Sequence, residues 1–144
     1  MSGGARYIFA ENCSMDSPNL DRALRIKTNK VRGGTVEHIY FRNSTVGQVR
    51  EAVVRINMRY PIYSDTSQTY MPVIHDIYVD NISSKKSRYG LLIDGYNAKY
   101  PVKDVFLKNC NFDGVEEGNS VEFGENLVFE NCIMNGKPMD SPTQ

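Results

Sequence analysis

Arg25 and Lys27 are the residues whose type and spacing most clearly allow chemistry. In a β-strand, side chains two positions apart leave the same face, with Cα atoms roughly 6.6 Å apart. Arg can hold a carboxylate through two parallel hydrogen bonds, and Lys adds a point charge. The pair therefore predicts an anion-binding site, with a carboxylate as the best candidate. The alternative is a basic patch neutralised by nearby acids: Asp21, Glu51 or Asp94.

A second pair, Arg55 and Asn57, follows at the same two-residue spacing. If successive repeats of the chain stack in parallel, Arg55 lies beside Arg25 and Asn57 lies beside Lys27. Like charges on neighbouring strands cost stability unless an anion lies between them. Arg55 therefore joins the predicted site, with the same neutralised arrangement as the alternative.

The elements that would position these residues form a repeat. Five segments share the pattern apolar, any, apolar, any, Asn: residues 8–12, 39–43, 77–81, 105–109 and 127–131. The intervals between their Asn residues are 31, 38, 28 and 22 residues, which vary too much for a helical repeat. A β-solenoid accommodates this variation, because its strands keep register while its loops differ in length.

Alternation with a period of two predicts which side chains face inward. The first and third positions of each segment would form two interior columns: Ile8, Ile39, Ile77, Val105 and Leu127, then Ala10, Phe41, Val79, Leu107 and Phe129. Asn at each strand end suits a sharp bend, because it tolerates the left-handed conformation. Stacked Asn side chains can also form a hydrogen-bonded ladder.

A second series of strands is predicted at residues 23–27, 53–57, 90–94 and 120–123. Two series per repeat indicate at least two parallel sheets. We therefore predict an all-β protein, a parallel β-helix of about five short coils spaced about 4.8 Å apart.

Composition and motifs exclude several function classes. Seventeen basic and seventeen acidic side chains cancel, so no net field favours a nucleic acid or a membrane as partner. Three cysteines without a CxxC argue against a disulfide framework or a zinc site. Cys13, Cys110 and Cys132 each follow a ladder Asn, where a structural role is expected. No metal and no cofactor is predicted.

The outer face of the first sheet would carry a column of aromatic side chains: Phe9, Tyr40, Tyr78 and Phe106. Such a column could grip a sugar or be covered by a loop. Residues 58–71 are rich in Tyr and should project as a loop on the side of Arg25 and Lys27.

The coils are predicted to span residues 5–137. Residues 1–4 are expected to be a disordered or vector-derived start, and residues 138–144 a flexible tail. An open strand edge at the N-terminal end would recruit other chains, so self-association is expected there. The polar segment 135–144 is expected to cap the opposite end.

The Arg-Ile-Lys-Thr of residues 25–28, followed by Arg32-Gly33-Gly34, resembles the distal motif of the polygalacturonase-type glycoside hydrolases of family 28. Residues 54–60 resemble the segment that supplies this family's active-site tyrosine. The similarity runs from about residue 5 to Lys137, and residues 133–137 are similar to the end of such an enzyme.

The resemblance implies a right-handed parallel β-helix, the pectin lyase-like solenoid, and hydrolysis of galacturonic acid linkages with inversion. By position, it implies that Arg25 and Lys27 bind a galacturonate carboxylate beside the scissile bond, and that Tyr60 lines the same cleft. With Arg55, these are the predicted substrate-binding residues. The implied partner is oligogalacturonate or a pectin-type polysaccharide. Family members are usually periplasmic or secreted, although this chain shows no signal peptide.

The family's catalytic aspartates, in Asn-Thr-Asp and Asp-Asp motifs, and its Gly-His-Gly precede the Arg-Ile-Lys and do not occur here. His38 and His75 lack the flanking glycines. Inversion needs one carboxylic acid and one carboxylate base, so no catalytic residue is predicted. We expect the C-terminal third of such an enzyme, inactive alone and binding oligogalacturonate weakly. The alternative is a non-catalytic carbohydrate-binding or assembly β-solenoid.

Overall fold

The structure, a computed structural model, describes residues 3–63 and 67–141, and over these residues all regular structure is β. The strands are β1 (Ala5–Glu11), β2 (Ser14–Met15), β3 (Arg22–Lys27), β4 (Thr35–Gln48), β5 (Ala52–Asn57), β6 (Val73–Lys86), β7 (Tyr89–Asp94), β8 (Val102–Lys108), β9 (Asn111–Phe112), β10 (Ser120–Glu122), β11 (Gly124–Glu130), β12 (Ile133–Met134) and β13 (Lys137–Pro138).

The strands stack in parallel into two hydrogen-bonded sheets. The larger sheet pairs β1 with β4, β4 with β6, β6 with β8 and β8 with β11. The smaller sheet has the order β10-β7-β5-β3. Each turn of the chain contributes one strand to each sheet before the next turn begins, which is the coil of a parallel β-helix. Both predicted strand series are therefore present.

The register of the larger sheet places the predicted interior columns one above another. Ile8 pairs with Ile39, Ile39 with Ile77, Ile77 with Val105, and Val105 with Leu127. The middle members are almost fully buried, whereas Ile8 is 49% exposed. The difference arises because β1 has a partner strand on one side only, β4.

The five repeat asparagines bend the strands, as predicted. Their φ angles lie between 51° and 57°, the left-handed region that Asn tolerates better than most residues. Asn81 Nδ2 donates to Asn43 Oδ1 at 3.0 Å, and Asn131 Nδ2 donates to Asn109 Oδ1 at 2.7 Å. Between these two pairs the ladder changes partner, because Asn109 Nδ2 lies 3.4 Å from Asp80 Oδ1.

At two of the five bends the strand does not end, whereas β1, β8 and β11 end one residue before their Asn. β4 continues through Asn43 to Gln48, and β6 continues through Asn81 to Lys86. The segments after the bend stack on one another, for example Thr45 on Ser83. They form a third side of each coil. The sequence predicts at least two sheets and does not decide whether a third side is present.

A second column of bends was not anticipated from the sequence. Residues one position before the repeat segments also have positive φ: Tyr7, His38, Asp76, Asp104 and Asn126. His, Asp and Asn are enriched in this conformation and Tyr is not, but the residue type differs from coil to coil, so it gave no consistent signal. His38, which lies within β4, occupies a corner of the coil, and its ring stacks on that of Tyr7 at 4.9 Å.

The predicted aromatic column is present on the outside of the larger sheet. Ring centroids are 4.7 Å apart between Phe9 and Tyr40, 4.9 Å between Tyr40 and Tyr78, and 5.3 Å between Tyr78 and Phe106. Over the described residues the column borders an open hollow of about 240 Å³, and Phe9 is 51% exposed. Among the described residues no loop covers the column, so the alternative in which a loop covers it does not hold for them.

The C-terminal end folds back over the last coil. β13 pairs antiparallel with β12, the Met139 N–H donates to the Cys132 carbonyl at 2.8 Å, and the Phe129 N–H donates to Ser141 Oγ at 2.8 Å. These contacts occupy backbone groups of the last coil, in line with the cap expected at residues 135–144. The division into a start (1–4), coils (5–137) and a flexible tail (138–144) stays a prediction, and residues 1–2 and 142–144 lie outside the described ones.

None of the described residues forms a helix long and apolar enough to cross a membrane.

Candidate substrate-binding site

Arg25 and Lys27 lie on β3, the strand that the first coil contributes to one edge of the smaller sheet. The strand alternates, so the intervening Ile26 is buried in the core while both cationic side chains are exposed on the outer face. Arg25 pairs in register with Arg55, and Lys27 pairs with Asn57. The stacking inferred from the sequence is therefore present in the structure.

Tyr60 reaches this pair from the loop after β5. Its N–H donates to the Thr28 carbonyl at 3.1 Å, and Met58 anchors the chain just before it by being fully buried. The Lys27 Nζ atom lies 4.3 Å from the centre of the Tyr60 ring, and the Arg25 Cζ atom lies 5.6 Å from it. The structure thus brings together three of the four residues that the sequence indicated.

The two cations change the chemistry of the tyrosine. A hydrogen bond and the charge of Lys27, with a smaller contribution from Arg25, lower the pKa of Tyr60 below its usual value. Both cations favour a negative charge at this point of the surface. A ligand carboxylate would experience the same preference.

Arg55 differs from its two cationic neighbours in what it faces. One guanidinium nitrogen donates to Asp94 Oδ2 at 2.9 Å, and Nε lies 3.4 Å from Glu51 Oε1. Another donates to the backbone carbonyls of Ile56 and Leu92. The Arg55 side chain is only 13% exposed. Two carboxylates already neutralise its charge, so Arg55 matches the alternative in which nearby acids neutralise the basic residues.

Asp21, the third acid considered as a neutralising partner, faces cations other than Arg25 and Lys27. It lies 3.6 Å from Arg22 and 3.5 Å from Arg50. Within residues 3–63 and 67–141, neither Arg25 nor Lys27 forms a salt bridge with an acidic side chain. Lys27 and Arg25 are therefore the members of the cluster whose charge remains available to a ligand.

A cleft of about 250 Å³ opens beside Lys27, between the loop that follows β3 and the loop that follows β5. Its lining consists of Lys27, Thr28, Asn29, Val31, Arg32, Tyr60, Pro61, Ile62 and Tyr63. Residues 58–63 and 67–71 do form a projecting loop here, as predicted, and residues 64–66 of that loop lie outside the described ones.

The cleft keeps its shape through local turn chemistry. Asn29 Oδ1 accepts the N–H groups of Val31 and Arg32 at 3.0 and 2.9 Å, which closes the turn after β3. Gly33 has φ +59°, and a Cβ atom at this position would lie 2.5 Å from the Tyr70 Cβ. The first glycine of the Arg-Gly-Gly segment is therefore needed both for its backbone angle and for the approach of the Tyr loop.

A second polar cluster lies on the larger sheet, away from Arg25 and Lys27. His75 Nδ1 is 2.6 Å from Asp76 Oδ2, and Nε2 is 3.0 Å from Glu37 Oε2. Glu37 also faces Arg6 at 3.5 Å. The three ligand atoms lie within 4.8 Å of one another, but each already has a partner in the chain. The sequence pattern does not indicate Glu37, because its contact with His75 depends on the register between β4 and β6.

The fold and the cleft together define a parallel β-helix protein with two exposed cations beside a tyrosine on one sheet. The family model of glycosyl hydrolases family 28 matches residues 7–132. The chain belongs to this family. A comparison with curated proteins gives no match.

A solved structure supports the same assignment. The crystal structure of a hyperthermoactive exopolygalacturonase from Thermotoga maritima matches 94% of this chain with 38% sequence identity and a TM-score of 0.83. The match confirms the predicted right-handed parallel β-helix. This chain spans 29% of the length of that exopolygalacturonase.

Proposed function

We propose that this chain forms part of the substrate-binding cleft of a pectin-directed polygalacturonase-type hydrolase, where it binds the carboxylate of a galacturonate unit. Lys27 and Arg25 would hold the carboxylate, and Tyr60 would contact the sugar. The observation that carries the proposal is the pair of exposed cations beside one tyrosine, without an acidic partner among the described residues.

Arg55 has a supporting role in this proposal. Its contact with Asp94 holds the second coil against the third, and its contact with Glu51 lies within the second coil. They also remove from the site a charge that would otherwise repel Arg25, its neighbour in register. A carboxylate ligand would then meet the charges of Arg25 and Lys27 on an otherwise neutralised face.

The acids near this site are poorly suited to catalysis. Asp94 faces both Arg55 and Arg59, and Glu122 faces Arg59. An inverting glycosidase needs one carboxylic acid and one carboxylate base flanking the scissile bond, and both of these carboxylates are instead engaged by arginine side chains. We therefore propose that the 144-residue polypeptide does not hydrolyse polygalacturonate by itself. Export to the periplasm or the exterior, usual in the family, is part of the proposal for the whole protein.

The second candidate function, a non-catalytic binding or assembly solenoid, is favoured by a different observation. Tyr7, Ile8 and Phe9 on the open edge of β1 are each about half exposed, which suits association with another chain. The aromatic column is less suited to sugar stacking. Because its rings stack on one another with interplanar angles of 5° to 18°, most of their faces are covered and their edges point outward.

Calorimetric titration separates these functions. D-galacturonate should bind with a dissociation constant on the order of 1 mM, and D-galactose, which lacks the carboxylate, should give no heat. Lys27→Ala should abolish the galacturonate signal, whereas Lys99→Ala, an exposed lysine on another loop, should not. The same preparation should release no reducing ends from polygalacturonate. Robust hydrolysis, or equal binding of galactose, would overturn the proposal.

A further inference from the structure

Two cysteines lie side by side at the C-terminal end of the coils. The strand pairs around them, β8 with β11 and β9 with β12, join residues 22 positions apart. Cys110 and Cys132 have the same separation, so they are neighbours on the fourth and fifth coils. Asn131 Nδ2 donates to Asn109 Oδ1 at 2.7 Å just before them, and the Ile133 N–H donates to the Cys110 carbonyl at 2.9 Å just after them. Hydrogen bonds between the coils therefore hold the pair on both sides.

The two side chains have the same orientation, and both are buried. Cys110 is 2% exposed and Cys132 is 4% exposed. Each Sγ atom lies 3.4 Å from the backbone carbonyl two residues before it, that of Lys108 or that of Glu130. Neighbouring strands of a sheet are about 4.8 Å apart, which lies within the Cα–Cα range of about 4.4–6.8 Å that a disulfide spans. The backbone therefore already has a spacing that allows a bond between these two sulfurs.

The two thiols differ in their ionisation, and the difference gives each a role. A hydrogen bond from Cys110 lowers the pKa of Cys132 to about 7, whereas this contact and burial raise the pKa of Cys110. The thiolate is the form of cysteine that attacks a disulfide. Cys132 is therefore suited to react first, and Cys110 is placed to resolve the mixed disulfide that results.

The C-terminal segment controls access to Cys132. β13 pairs with β12, the Met139 N–H donates to the Cys132 carbonyl at 2.8 Å, and the Phe129 N–H donates to Ser141 Oγ at 2.8 Å. Between residues 137 and 141 every residue except Met139 is exposed. A short exposed segment with few hydrogen bonds opens locally at a low cost in free energy, and this opening would expose Cys132 to a small reagent.

Cys13 provides a reference thiol in the same column. Its neighbour in register on the second coil is Ser44, whose Oγ accepts the Cys13 N–H at 3.0 Å. Ile82 occupies the equivalent position on the third coil. Among the described residues Cys13 thus has no thiol beside it, and Ser44 shows that this column accommodates serine.

We propose that Cys110 and Cys132 form a dithiol site that a small-molecule disulfide, such as oxidised glutathione, converts into a disulfide joining the last two coils. The Cys132 thiolate attacks one sulfur of the reagent, which forms a mixed disulfide and releases one thiolate. The Cys110 sulfur then attacks Cys132 Sγ and breaks the mixed disulfide, and the Cys110 proton passes to the second departing thiolate. The first thiolate takes a proton from water. The protein is oxidised by two electrons, and the reagent is reduced to two thiols.

The consequence is a last coil whose attachment depends on the redox conditions. In an oxidising compartment the fifth coil is tied covalently to the fourth, whereas under reducing conditions hydrogen bonds and packing alone hold it. This inference is independent of the proposed function, because Arg25, Lys27 and Tyr60 take no part in it.

The test is mass spectrometry of the full folded chain after treatment with oxidised glutathione and an acid quench. Trypsin leaves both cysteines on one peptide, residues 109–144, and Cys13 on another, residues 7–22. The first peptide should lose about 2 Da, the mass of two hydrogens. Further cleavage after the glutamates between the two cysteines should leave its fragments joined. Oxidation should raise the urea midpoint of unfolding by about 1 M, and a reductant should reverse both changes.

Two serine variants serve as matched controls. Cys110→Ser should leave glutathione attached to Cys132, because the resolving thiol is missing. Cys13→Ser should leave the cross-link and its yield unchanged. A reaction in concentrated urea supplies a further comparison, since the unfolded chain should pair its three cysteines without selection.

The outcomes decide the proposal. Glutathione retained on Cys132 of the unmodified folded chain, without a cross-link, would overturn it. Pairing of Cys13 in the folded chain, or a folded-state yield of the Cys110–Cys132 bond no higher than that in urea, would likewise overturn it. The comparison of folded and unfolded chain needs no variant, so the test stands even if Cys110→Ser fails to fold.

Discussion

The Nζ atom of Lys27 lies 4.3 Å from the centre of the Tyr60 ring, although 33 positions separate the two residues in the chain. One turn of the β-helix brings them together. Lys27 ends β3 on the first coil, and Tyr60 follows β5 on the second, where its N–H donates to the Thr28 carbonyl. The spacing between the Arg-Ile-Lys segment and this tyrosine is therefore a consequence of coil length.

The lowered pKa of Tyr60 should make ligand binding depend on pH. Lys27, then Arg25, stabilises the phenolate, and the phenolate adds a negative charge where the ligand carboxylate binds. Galacturonate affinity should therefore fall as the pH rises from about 7 toward about 10, the ordinary tyrosine value. Calorimetric titrations across this range measure the effect.

The matched variants for this pH dependence are Tyr60→Phe and Tyr63→Phe. The first should abolish the fall between these pH values. The second removes a neighbouring tyrosine that is 85% exposed and should leave the fall in place. A Tyr60→Phe variant with the same pH profile as the unmodified chain would show that Tyr60 does not adjoin the bound carboxylate.

Substitution of Asn81 should separate the two roles of the ladder asparagines. Asn81 has φ 56° and donates to Asn43 Oδ1. Asn81→Ala should lower the free energy of unfolding by about 1–2 kcal/mol through backbone strain, and by about 0.5–1.5 kcal/mol more for the lost bond. Asn81→Gly relieves the strain and loses only the bond. Urea denaturation measures both, and equal losses would contradict a left-handed requirement at this position.

Ile77 should be a major contributor to the stability of the coils. It is fully buried between Ile39 and Val105, so Ile77→Ala should cost about 2–5 kcal/mol in the free energy of unfolding. Val128→Ala, on the outer face and 38% exposed, should cost less than about 0.5 kcal/mol. Similar losses for the two variants would argue against the assigned inner and outer faces.

Cys132 should react with alkylating reagents in a pH-dependent way set by Cys110. A hydrogen bond from the Cys110 thiol lowers the pKa of Cys132 to about 7, and contact with Cys132 together with burial raises the pKa of Cys110. The alkylation rate of Cys132 should rise through pH about 7, and Cys110→Ala should move that midpoint toward about 8.5. Mass spectrometry of the labelled peptides follows each cysteine, with Cys13 as an internal reference. An unchanged midpoint would exclude the thiol pair as the cause.

The open edge of β1 should lead the 144-residue polypeptide to self-associate. Over the described residues β1 pairs with β4 alone and exposes Tyr7, Ile8 and Phe9, and such an edge can pair with another chain. Sedimentation velocity at increasing concentration should show a rising mass. Ile8→Lys should suppress it, whereas Ile133→Lys, on the last coil and 39% exposed, should not. A monomer at every concentration would contradict this expectation.

Most of the fold could be predicted because its determinants are local and repeated. Apolar residues at alternate positions, followed by Asn, specify the inner face and the bend of each coil, and the confirmed pairing of Ile39 with Ile77 follows from that pattern. The column of bends through His38 and Asp76 was not predicted, because its residue types differ from coil to coil, whereas every bend of the predicted column carries an Asn.

The candidate site was predicted in part for the same reason. Arg25 and Lys27 share a face through simple alternation, and Tyr60 was indicated by the family resemblance. Whether Arg55 faces a ligand or an internal acid depends on Asp94, 39 positions later. That choice requires the register of three coils and the side-chain conformations, which the sequence pattern does not specify.

A crystal structure of the chain with bound galacturonate would test the central claim most directly. The account predicts that the sugar carboxylate lies within hydrogen-bonding distance, about 2.7–3.2 Å, of Lys27 Nζ and the Arg25 guanidinium, with the ring against Tyr60. A carboxylate held elsewhere on the surface, with the Lys27 cleft left open, would contradict it.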